Sequence, residues 1–365
     1  MRIAFLLPGR SVRPAGGFKV VYEYANRLVA RGHEVAVVHP WDCTAPASWR
    51  DRLRARRWVS QWGRRREEIA PWFEFDPRVE LPVVTHPAAA LLPATDVLVA
   101  TAWHTASWVA EATAESGAGV YLIQGYETWD GEVETVRDTW RLPLRKVAIS
   151  RWLEEIAAEL GEAERTDRVP LGMDLDRLGV DVAQAQRQPR LGALYNSSPE
   201  KRSGEVVAAM EEVRARHDEA SAVLFGTASR PSSLPAWIEY EMLPSQPRLR
   251  ELYNSCAVFL QASRSEGWGL PASEAILCGC ALVTVENGGS REFARDGETA
   301  LVVAPGDVAA MAEGAGELLD DAARRQRLAG RGAELLSGFT WERSVTELER
   351  VLAEAAAPTG AGTTT

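Results

Sequence analysis

Residues 257–287 read AVFLQASRSEGWGLPASEAILCGCALVTVEN. Two compact apolar runs, 257–263 and 280–287, enclose a glycine-rich turn and a helix-like segment that begins near Pro271. Compact apolar runs are typical of buried parallel strands, which need a crossover, usually a helix, between them. Proline suits the first turn of that helix, because its missing N–H would be unpaired there in any case. The stretch therefore predicts a strand–helix–strand unit of an α/β fold.

The same alternation of strand-like and helix-like segments continues on both sides of this unit. Further apolar runs suited to strands form two series, at 2–8, 33–40, 95–101 and 119–124, and at 190–196, 221–226 and 300–306, and residues 146–161 add to the first series a strand that leads into a helix. Such alternation predicts parallel sheets with helices on both faces. Two series predict two doubly wound, Rossmann-like domains, residues 1–180 and 190–338. We expect the polar stretch at about 181–190 to be a linker and residues 357–365 to be a disordered tail.

Composition limits the class of protein. The chain has 365 residues, a net charge of -10 and four cysteines. The negative charge argues against general nucleic-acid binding, and so few cysteines do not make a disulfide framework. Cys278 and Cys280 lack a second pair at zinc spacing, so we interpret them as buried packing. No apolar run reaches the roughly 18 residues of a membrane span, and a strand beginning at Arg2 leaves no room for a signal peptide. A cytoplasmic enzyme is expected.

The turn in the opening stretch combines acids and glycines in an unusual way. Glu266 and Glu274 are separated by seven residues that include Gly267 and Gly269. Glycines let backbone N–H groups approach a ligand closely, and a helix N-terminus adds partial positive charge, so the turn suits a phosphate. The carboxylates would repel a phosphate but would accept hydrogen bonds from hydroxyls. A ligand with a diphosphate in the middle and hydroxyls at both ends is a nucleotide sugar.

Residues 263–307, SRSEGWGLPASEAILCGCALVTVENGGSREFARDGETALVVAPGD, resemble the donor-site signature of the retaining glycosyltransferases of family 4, which have the GT-B fold. The two glutamates, the Gly-Gly after the next strand and the DG…VAPGD ending match in order. Residues 170–178 look like the family's hinge loop, 199–204 like its lysine-bearing phosphate loop, and 339–356 like its C-terminal helix, which returns to the first domain. The resemblance implies two domains facing across a cleft, with the nucleotide-sugar donor on the C-terminal side and the acceptor on the N-terminal side.

The roles of the family's residues, transferred to the matching positions, define a predicted donor site. Glu266 would accept hydrogen bonds from the sugar hydroxyls, and Glu274 would hold the ribose. Lys201, with Arg202, would neutralise the departing diphosphate, so Glu266 and Lys201 are the predicted catalytic residues. The other predicted donor-binding residues are Gly16 and Gly17 of the first domain, Asn196, and the backbone of Gly267, Trp268, Gly269 and Leu270. Cationic side chains would replace a metal ion, so no metal and no cofactor is expected, only the nucleotide sugar as co-substrate.

Two positions depart from the family pattern. Gln124 stands where the family often has a histidine that contacts the outer hydroxyl of the sugar, and Asn196 replaces the family's usual arginine. The stretches GGFKVVYEYANRL and IQGYE look more like rhamnosyltransferase-type members of the family. Because a 6-deoxy sugar has no outer hydroxyl, Gln124 and these stretches favour a 6-deoxyhexose donor, whereas Asn196 leaves the diphosphate with one fixed cation fewer.

The acceptor side is predicted from aromatic and basic residues of the first half. Ten of the 13 tryptophans lie in the first 152 residues, and residues 49–73 are basic and tryptophan-rich within an acidic protein. That segment suits a solvated surface helix, an anionic acceptor site or a membrane-surface contact, which would make the protein peripheral at the membrane. The acceptor could be a glycan, a lipid-linked compound or a natural product. The candidate acceptor-binding residues are His104, Gln124, Tyr126, Glu127 and Trp129.

Several alternatives stay open at this level. Gly267, Gly269 and Ala272 follow a strand and precede a helix, as in a dinucleotide-binding fingerprint, but Glu266 would then face the pyrophosphate. Asp174 and Asp176 could hold a metal ion instead of belonging to the hinge loop. A sugar-nucleotide epimerase, a phosphorylase or a non-catalytic sugar-binding subunit would use the same fold, although the joint presence of Glu266 and Glu274 favours catalysis.

Overall fold

Two parallel sheets organise the chain in the computed structural model, which describes residues 1–44, 48–63, 65–114 and 118–357. The first sheet comprises β1 (Arg2–Leu6), β2 (Glu34–Pro40), β3 (Val83–Val84), β4 (Val97–Ala100), β5 (Gly119–Ile123), β6 (Arg145–Ala148) and β7 (Thr166–Arg168). The second comprises β8 (Arg190–Leu194), β9 (Ser221–Gly226), β10 (Ile238–Met242), β11 (Val258–Gln261), β12 (Ala281–Val285) and β13 (Leu301–Val303). The predicted α/β class with two Rossmann-like domains is confirmed.

Helices connect most successive strands of both sheets, and three more lie between the last strand and residue 357. Those of the first half are α1 (Gly16–Ala30), α2 (Trp49–Trp62), α3 (Arg66–Ile69), α4 (Trp103–Ala112), α5 (Val133–Trp140) and α6 (Arg151–Glu159). Those of the second half are α7 (Ser203–Arg216), α8 (Gln246–Ser255), α9 (Leu270–Leu277), α10 (Val308–Asp320) and α11 (Ala322–Ser337), and α12 (Trp341–Ala356) follows. Within the described part of the chain, no helix is both long and apolar enough to cross a membrane.

Strand order places two loops of each sheet side by side. The first sheet runs β3, β2, β1, β4, β5, β6, β7, and the second runs β10, β9, β8, β11, β12, β13. All the registered pairs are parallel, including β1 with β4 and β11 with β8. The order reverses at these two pairs, and the carboxyl ends of strands at such a switch point are where open α/β sheets bind ligands. The loops after β8 and β11, and those after β1 and β4, are therefore neighbours.

The chain divides into two compact units at Pro170 and at Trp341. Unit 1 contains Met1–Pro170 and Glu342–Thr365, and unit 2 contains Leu171–Trp341. Helix α12 packs on unit 1, where the Ser344 hydroxyl donates to the Pro170 carbonyl oxygen at 2.6 Å and Arg31 pairs with Glu349 at 2.6 Å. Residues 358–365 of the predicted tail lie outside the described residues.

The polar segment 181–190 is not a linker. Gln184 and Arg187 are buried in unit 2, and the Arg187 guanidinium donates to the carbonyl oxygens of Tyr253 and Cys256 at 3.3 and 2.7 Å. These polar side chains satisfy backbone carbonyls that would otherwise be buried without partners. The segment looks like a linker in the sequence because its polar residues show no helical or strand periodicity.

Candidate functional site

The catalytic pair predicted from the sequence meets at the switch point of unit 2. Lys201 lies in the loop after β8, and Glu266 lies in the loop after β11. The Lys201 Nζ atom is 2.7 Å from the Glu266 Oε1 atom, and both side chains are partly buried. A hydrogen bond also joins the two loops directly, from the Arg264 N–H to the Glu200 carbonyl oxygen at 2.8 Å. Strand order thus brings together two residues that are 65 positions apart.

Asn196 shapes the loop that presents Lys201. Its Oδ1 atom accepts from the Ser198 N–H at 2.9 Å, and its backbone N–H and carbonyl both bond the Ser203 hydroxyl at 2.9 Å. After a 3₁₀ turn at Pro199–Lys201, Arg202 adopts a left-handed conformation with φ of 51° and forms an ion pair with Glu205. Asn196, predicted to bind the donor, therefore bonds within its own loop, and Arg202 is partly neutralised.

The loop of Glu266 is bonded to the Gly-Gly segment after β12. The Glu266 N–H donates to the Asn287 carbonyl oxygen at 2.9 Å, and the Gly289 N–H donates to the Glu266 carbonyl oxygen at 3.0 Å. The backbones approach so closely that a Cβ atom on Gly289 would lie 2.6 Å from the Trp268 backbone nitrogen. Only glycine fits this position, which gives a physical reason for the Gly-Gly of the sequence signature.

Helix α9 begins at the predicted glycine-rich turn with a free N-terminus. Its N-cap residue, Gly269, has φ of 100°, has no side chain to cap the helix, and no acidic residue occupies the first turn. Partial positive charge at this end is therefore uncompensated by side chains of the helix. The Trp268 ring is buried against Phe339 and Phe293, with centroid distances of 5.0 and 6.4 Å. Trp268 can thus contribute to a ligand site through its backbone, as predicted, and not through its ring.

Glu274 is held by a residue that the sequence analysis missed. The Tyr253 hydroxyl, on α8, donates to the Glu274 Oε2 atom at 3.1 Å, and both side chains are buried. Burial, reinforced by the Glu274 charge, holds the pKa of Tyr253 well above its usual range, so the hydroxyl stays a donor. Nothing in the spacing of Tyr253 relates it to α9, because the contact depends on how α8 and α9 pack.

The first-loop glycines of unit 1 belong to a helix rather than to the end of a loop. Gly16 and Gly17 are the first two residues of α1, and the N-cap residue, Ala15, makes no side-chain cap. A Cβ atom on Gly17 would lie 3.5 Å from the Gln124 Nε2 atom. The Gln124 amide donates to the Thr101 carbonyl oxygen at 3.2 Å, and its own oxygen is buried without a partner among the described residues. Gly17 and Gln124 therefore lie side by side within unit 1.

Glu127 and His104 form a polar cluster where α4 begins. The Glu127 Oε2 atom accepts from the Trp103 N–H at 2.9 Å. The His104 Nε2 atom lies 3.5 Å from the Asp130 Oδ2 atom, and its ring lies 3.9 Å from that of Trp103. Burial raises the pKa of Glu127 to about 7; the Trp103 hydrogen bond opposes this rise and the Asp130 charge adds to it. A carboxyl group here can change its charge near neutral pH.

The other two acceptor candidates differ in accessibility. The Tyr126 hydroxyl accepts from the Arg137 Nε atom at 2.7 Å, and its ring packs edge-on against Trp140. Trp129 is 47% exposed, and its ring faces Gly125, where a Cβ atom would be 3.2 Å away. Trp129 thus offers an accessible aromatic surface, whereas Tyr126 is held within unit 1.

The metal interpretation of Asp174 and Asp176 gains no support. The Asp174 Oδ1 atom accepts from the Trp341 indole N–H at 2.8 Å. Among the described residues, no three His, Cys, Asp or Glu side chains are grouped as a metal site would require. Asp174 instead connects the segment after the unit boundary to the residue at which unit 2 ends.

Comparisons with known proteins identify the domain that contains this site. Residues 183–335 match the family model of the glycosyl transferases group 1. These residues form a group 1 glycosyltransferase domain. The match includes Lys201, Glu266 and Glu274, and it agrees with the family resemblance of the sequence. The predicted glycosyltransferase class is therefore confirmed for this domain.

Similar proteins of known name extend the comparison beyond the group 1 domain. A glycogen synthase of Mycobacterium tuberculosis is 28% identical over 287 residues, which are 74% of this chain and 66% of that protein. A D-inositol 3-phosphate glycosyltransferase of Nocardia farcinica is 28% identical over 235 residues, 58% of this chain and 52% of that protein. The chain thus matches only about half to two thirds of the length of these relatives.

A solved structure covers nearly the whole chain. Anabaena HepE, in complex with UDP-glucose, aligns with a TM-score of 0.75 over 97% of this chain and 100% of that chain, at 16% identity. Likeness at this identity shows the fold, and the predicted GT-B class is confirmed. The similarity to rhamnosyltransferase-type members finds no specific counterpart in these comparisons.

Proposed function

We propose that the chain transfers a sugar from a nucleoside-diphosphate donor to a hydroxyl acceptor, with retention of anomeric configuration and without a metal ion. The central observation is the Lys201–Glu266 pair, 2.7 Å apart, beside the uncapped N-terminus of α9 in a group 1 domain. The charges of this site match those of a nucleotide sugar. The lysine and the helix N-terminus suit its diphosphate, and the two carboxylates suit its hydroxyls. Relatives named glycogen synthase and D-inositol 3-phosphate glycosyltransferase, and a structural neighbour solved with UDP-glucose, support this donor class.

The Lys201–Glu266 pair would rearrange when the donor binds. Without a ligand, the Lys201 ammonium is neutralised by Glu266 at the edge of unit 2. A diphosphate brings stronger negative charge to the same place, so Lys201 would turn toward it, helped by the α9 N-terminus. Glu266 would then be free to accept hydrogen bonds from sugar hydroxyls, and Glu274, held by Tyr253, would accept from the ribose. No cofactor is needed for this arrangement.

Retention would follow from attack on the same face of the sugar that the diphosphate leaves. The bond from the anomeric carbon to the acceptor oxygen forms as the bond to the phosphate oxygen breaks, and the acceptor proton passes to the departing diphosphate. Lys201 and the helix N-terminus stabilise the negative charge that develops on the leaving group, which is the part a metal ion often takes. Activity should therefore survive a metal chelator, and complete loss that Mg²⁺ or Mn²⁺ restores would reject this account.

The acceptor is proposed to bind unit 1 through the cluster at the start of α4. Glu127, His104 and Asp130 provide hydrogen-bonding groups for hydroxyls, and the exposed Trp129 ring provides a surface on which a sugar can stack. A carbohydrate acceptor, free or lipid-linked, suits this combination of polar and aromatic groups. A natural-product acceptor with a sugar-like hydroxyl pattern would use the same groups.

A 6-deoxyhexose is the proposed donor sugar. Gln124 replaces the histidine that related enzymes use on the outer hydroxyl, and one of its N–H groups already bonds the Thr101 carbonyl oxygen. A hexose would lose the histidine contact to its outer hydroxyl and would keep only the Gln124 oxygen, which is unpaired among the described residues, as an acceptor. The loss of one partner costs about 1–3 kcal/mol, or roughly 5- to 150-fold in kcat/KM. Competition between a 6-deoxy donor and its 6-hydroxy counterpart on the same nucleotide tests this. Equal kcat/KM values would reject the deoxy-sugar proposal and leave the transferase proposal standing.

The transferase proposal itself is tested by Glu266→Gln against Glu334→Gln, a matched change at an exposed position of α11. A thermal-shift panel of nucleotides and nucleotide sugars first identifies the donor, since a ligand of the native state raises its Tm. Loss of a charge-assisted hydrogen bond at Glu266 should lower kcat by roughly 10- to 150-fold, whereas Glu334→Gln should leave it unchanged. Wild-type kinetics in both variants would overturn the donor-site assignment.

A further inference from the structure

Helix α2 presents a basic and apolar surface outward from unit 1. It has five arginines and one aspartate in 14 residues, and Ala55 is its only buried residue. Trp49 and Leu53 are 68% and 45% exposed, and they lie about one helical turn apart. An acidic protein has thus concentrated positive charge and exposed apolar area on one short helix.

The exposed side of α2 is itself divided into an apolar part and two basic parts. At about 100° per residue, Trp49 and Leu53 project about 40° apart, opposite the buried Ala55. The arginines lie on both sides of this apolar centre: Arg52 and Arg56 on one side, and Arg50, Arg54 and Arg57 on the other. We call these seven residues the outer face of α2. Its pattern is an apolar strip between two basic edges.

Little within unit 1 neutralises this charge. Arg54 lies 3.7 Å from Asp51, and the Arg50 guanidinium lies 5.4 Å from the Trp49 ring centroid. In the described part of the chain, Arg52, Arg56 and Arg57 make no ion pair. The basic edges are therefore available to a negatively charged partner.

The opposite side of α2 is joined to the loop that leads into α1. The Arg10 guanidinium stacks over the Trp62 ring at 3.7 Å from its centroid, and the Arg10 Nε atom donates to the Ile69 carbonyl oxygen at 3.0 Å. The Trp72 indole N–H donates to the Ser11 carbonyl oxygen at 2.9 Å. Through Trp62, the helix is thus joined to the loop before Gly16.

We propose that the outer face of α2 docks unit 1 on an anionic lipid surface. Arginines suit acidic lipid headgroups, and a tryptophan with a neighbouring leucine suits insertion at the headgroup level. A soluble polyanion would use the arginines but would gain nothing from Trp49 and Leu53 between them, so the apolar centre favours a bilayer. The inference deepens the proposed function, because a lipid-linked acceptor would be met at that surface.

Sedimentation of the full chain with vesicles tests the proposal without donor or acceptor. We expect binding to phosphatidylcholine vesicles that contain phosphatidylglycerol, weak binding to phosphatidylcholine alone, and weakening by salt. Arg52→Gln/Arg56→Gln should reduce vesicle affinity by roughly 30-fold, at about fivefold per arginine near an anionic surface. The matched control is Arg327→Gln/Arg331→Gln, which changes the same charge at the same spacing on exposed positions of α11 and should leave the affinity unchanged. Thermal unfolding checks that each variant is folded.

The apolar centre separates the lipid partner from a soluble polyanion. Trp49→Ala/Leu53→Ala should weaken vesicle binding by about tenfold and leave binding to heparin unchanged. Any one of three results would overturn the proposal. The two arginine pairs could lose vesicle affinity equally, the wild type could fail to bind anionic vesicles, or the Trp49/Leu53 variant could bind vesicles like the wild type. Vesicle binding by a chain that transfers no sugar would reject the proposed function alone, so the two failures are distinguishable.

Discussion

Replacing Tyr253 by phenylalanine tests the contact that the sequence analysis missed. The change removes the hydroxyl that donates to the Glu274 Oε2 atom at 3.1 Å and keeps the ring. Ring contacts with Phe225 and Phe259, at centroid distances of 5.5 and 5.7 Å, should therefore remain. A hydrogen bond to a charged group contributes about 1.5–3 kcal/mol, and the substitution leaves a buried carboxylate oxygen without this donor. We expect Tyr253→Phe to lower the free energy of unfolding by that amount.

Tyr240→Phe is the matched control for this prediction. The Tyr240 hydroxyl donates to the Ala228 carbonyl oxygen at 2.6 Å, so its acceptor is neutral. The expected loss is about 0.5–1.5 kcal/mol, smaller than for Tyr253. Urea denaturation measures both losses. Titration with a nucleoside diphosphate and its 3′-deoxyribose analogue then measures whether the ribose preference falls in Tyr253→Phe, as it should if Tyr253 positions Glu274.

Two results would refute this reasoning. If Tyr253→Phe loses no more stability than Tyr240→Phe, the bond to Glu274 is not charge-assisted in solution. If stability falls but the preference for ribose over deoxyribose is unchanged in both Tyr253→Phe and Glu274→Gln, Tyr253 stabilises unit 2 without positioning a donor ligand.

Two further predictions concern backbone packing and a buried carboxyl group. Gly289→Ala would place a Cβ atom 2.6 Å from the Trp268 backbone, so we expect it to destabilise the chain by about 1–3 kcal/mol or more. Gly330→Ala, on α11 with open space around it, should instead stabilise by about 0.5–1 kcal/mol, and thermal unfolding of the two variants checks the contrast. Burial raises the pKa of Glu127 from an ordinary value of 4.5 to about 7, so between these values the folded state holds a proton that the unfolded state has released. The proton on Glu127 therefore stabilises the folded state at lower pH, and this stabilisation is lost as pH rises through about 7. Glu127→Gln should therefore gain stability relative to the wild type over this window, by up to about 3 kcal/mol, and a pH-independent difference in unfolding free energy would contradict the prediction.

Local patterns were enough to predict the α/β class and the helix of the donor site. Pro271 and the flanking apolar runs predict a helix near its observed range, Leu270–Leu277, because proline placement and apolar runs depend on neighbouring residues only. Strands β3, β7 and β10 were not predicted. They are short or polar strands, and all three lie at sheet edges, where a strand pairs with one neighbour only and need not carry an apolar pattern.

The sequence by itself determined which residues to consider, since the spacing of Glu266 and Glu274 and the glycines between them lie within one short stretch. Tertiary structure alone decided their partners. Strand order β8 next to β11 brings Lys201 to Glu266, and the packing of α8 on α9 brings Tyr253 to Glu274. Tertiary structure also decided the role of Arg187. Its polar segment resembles a linker in the sequence, but its guanidinium bonds backbone carbonyl oxygens in the interior of unit 2. Contacts between distant residues depend on how elements pack, and no periodicity along a single chain records that packing.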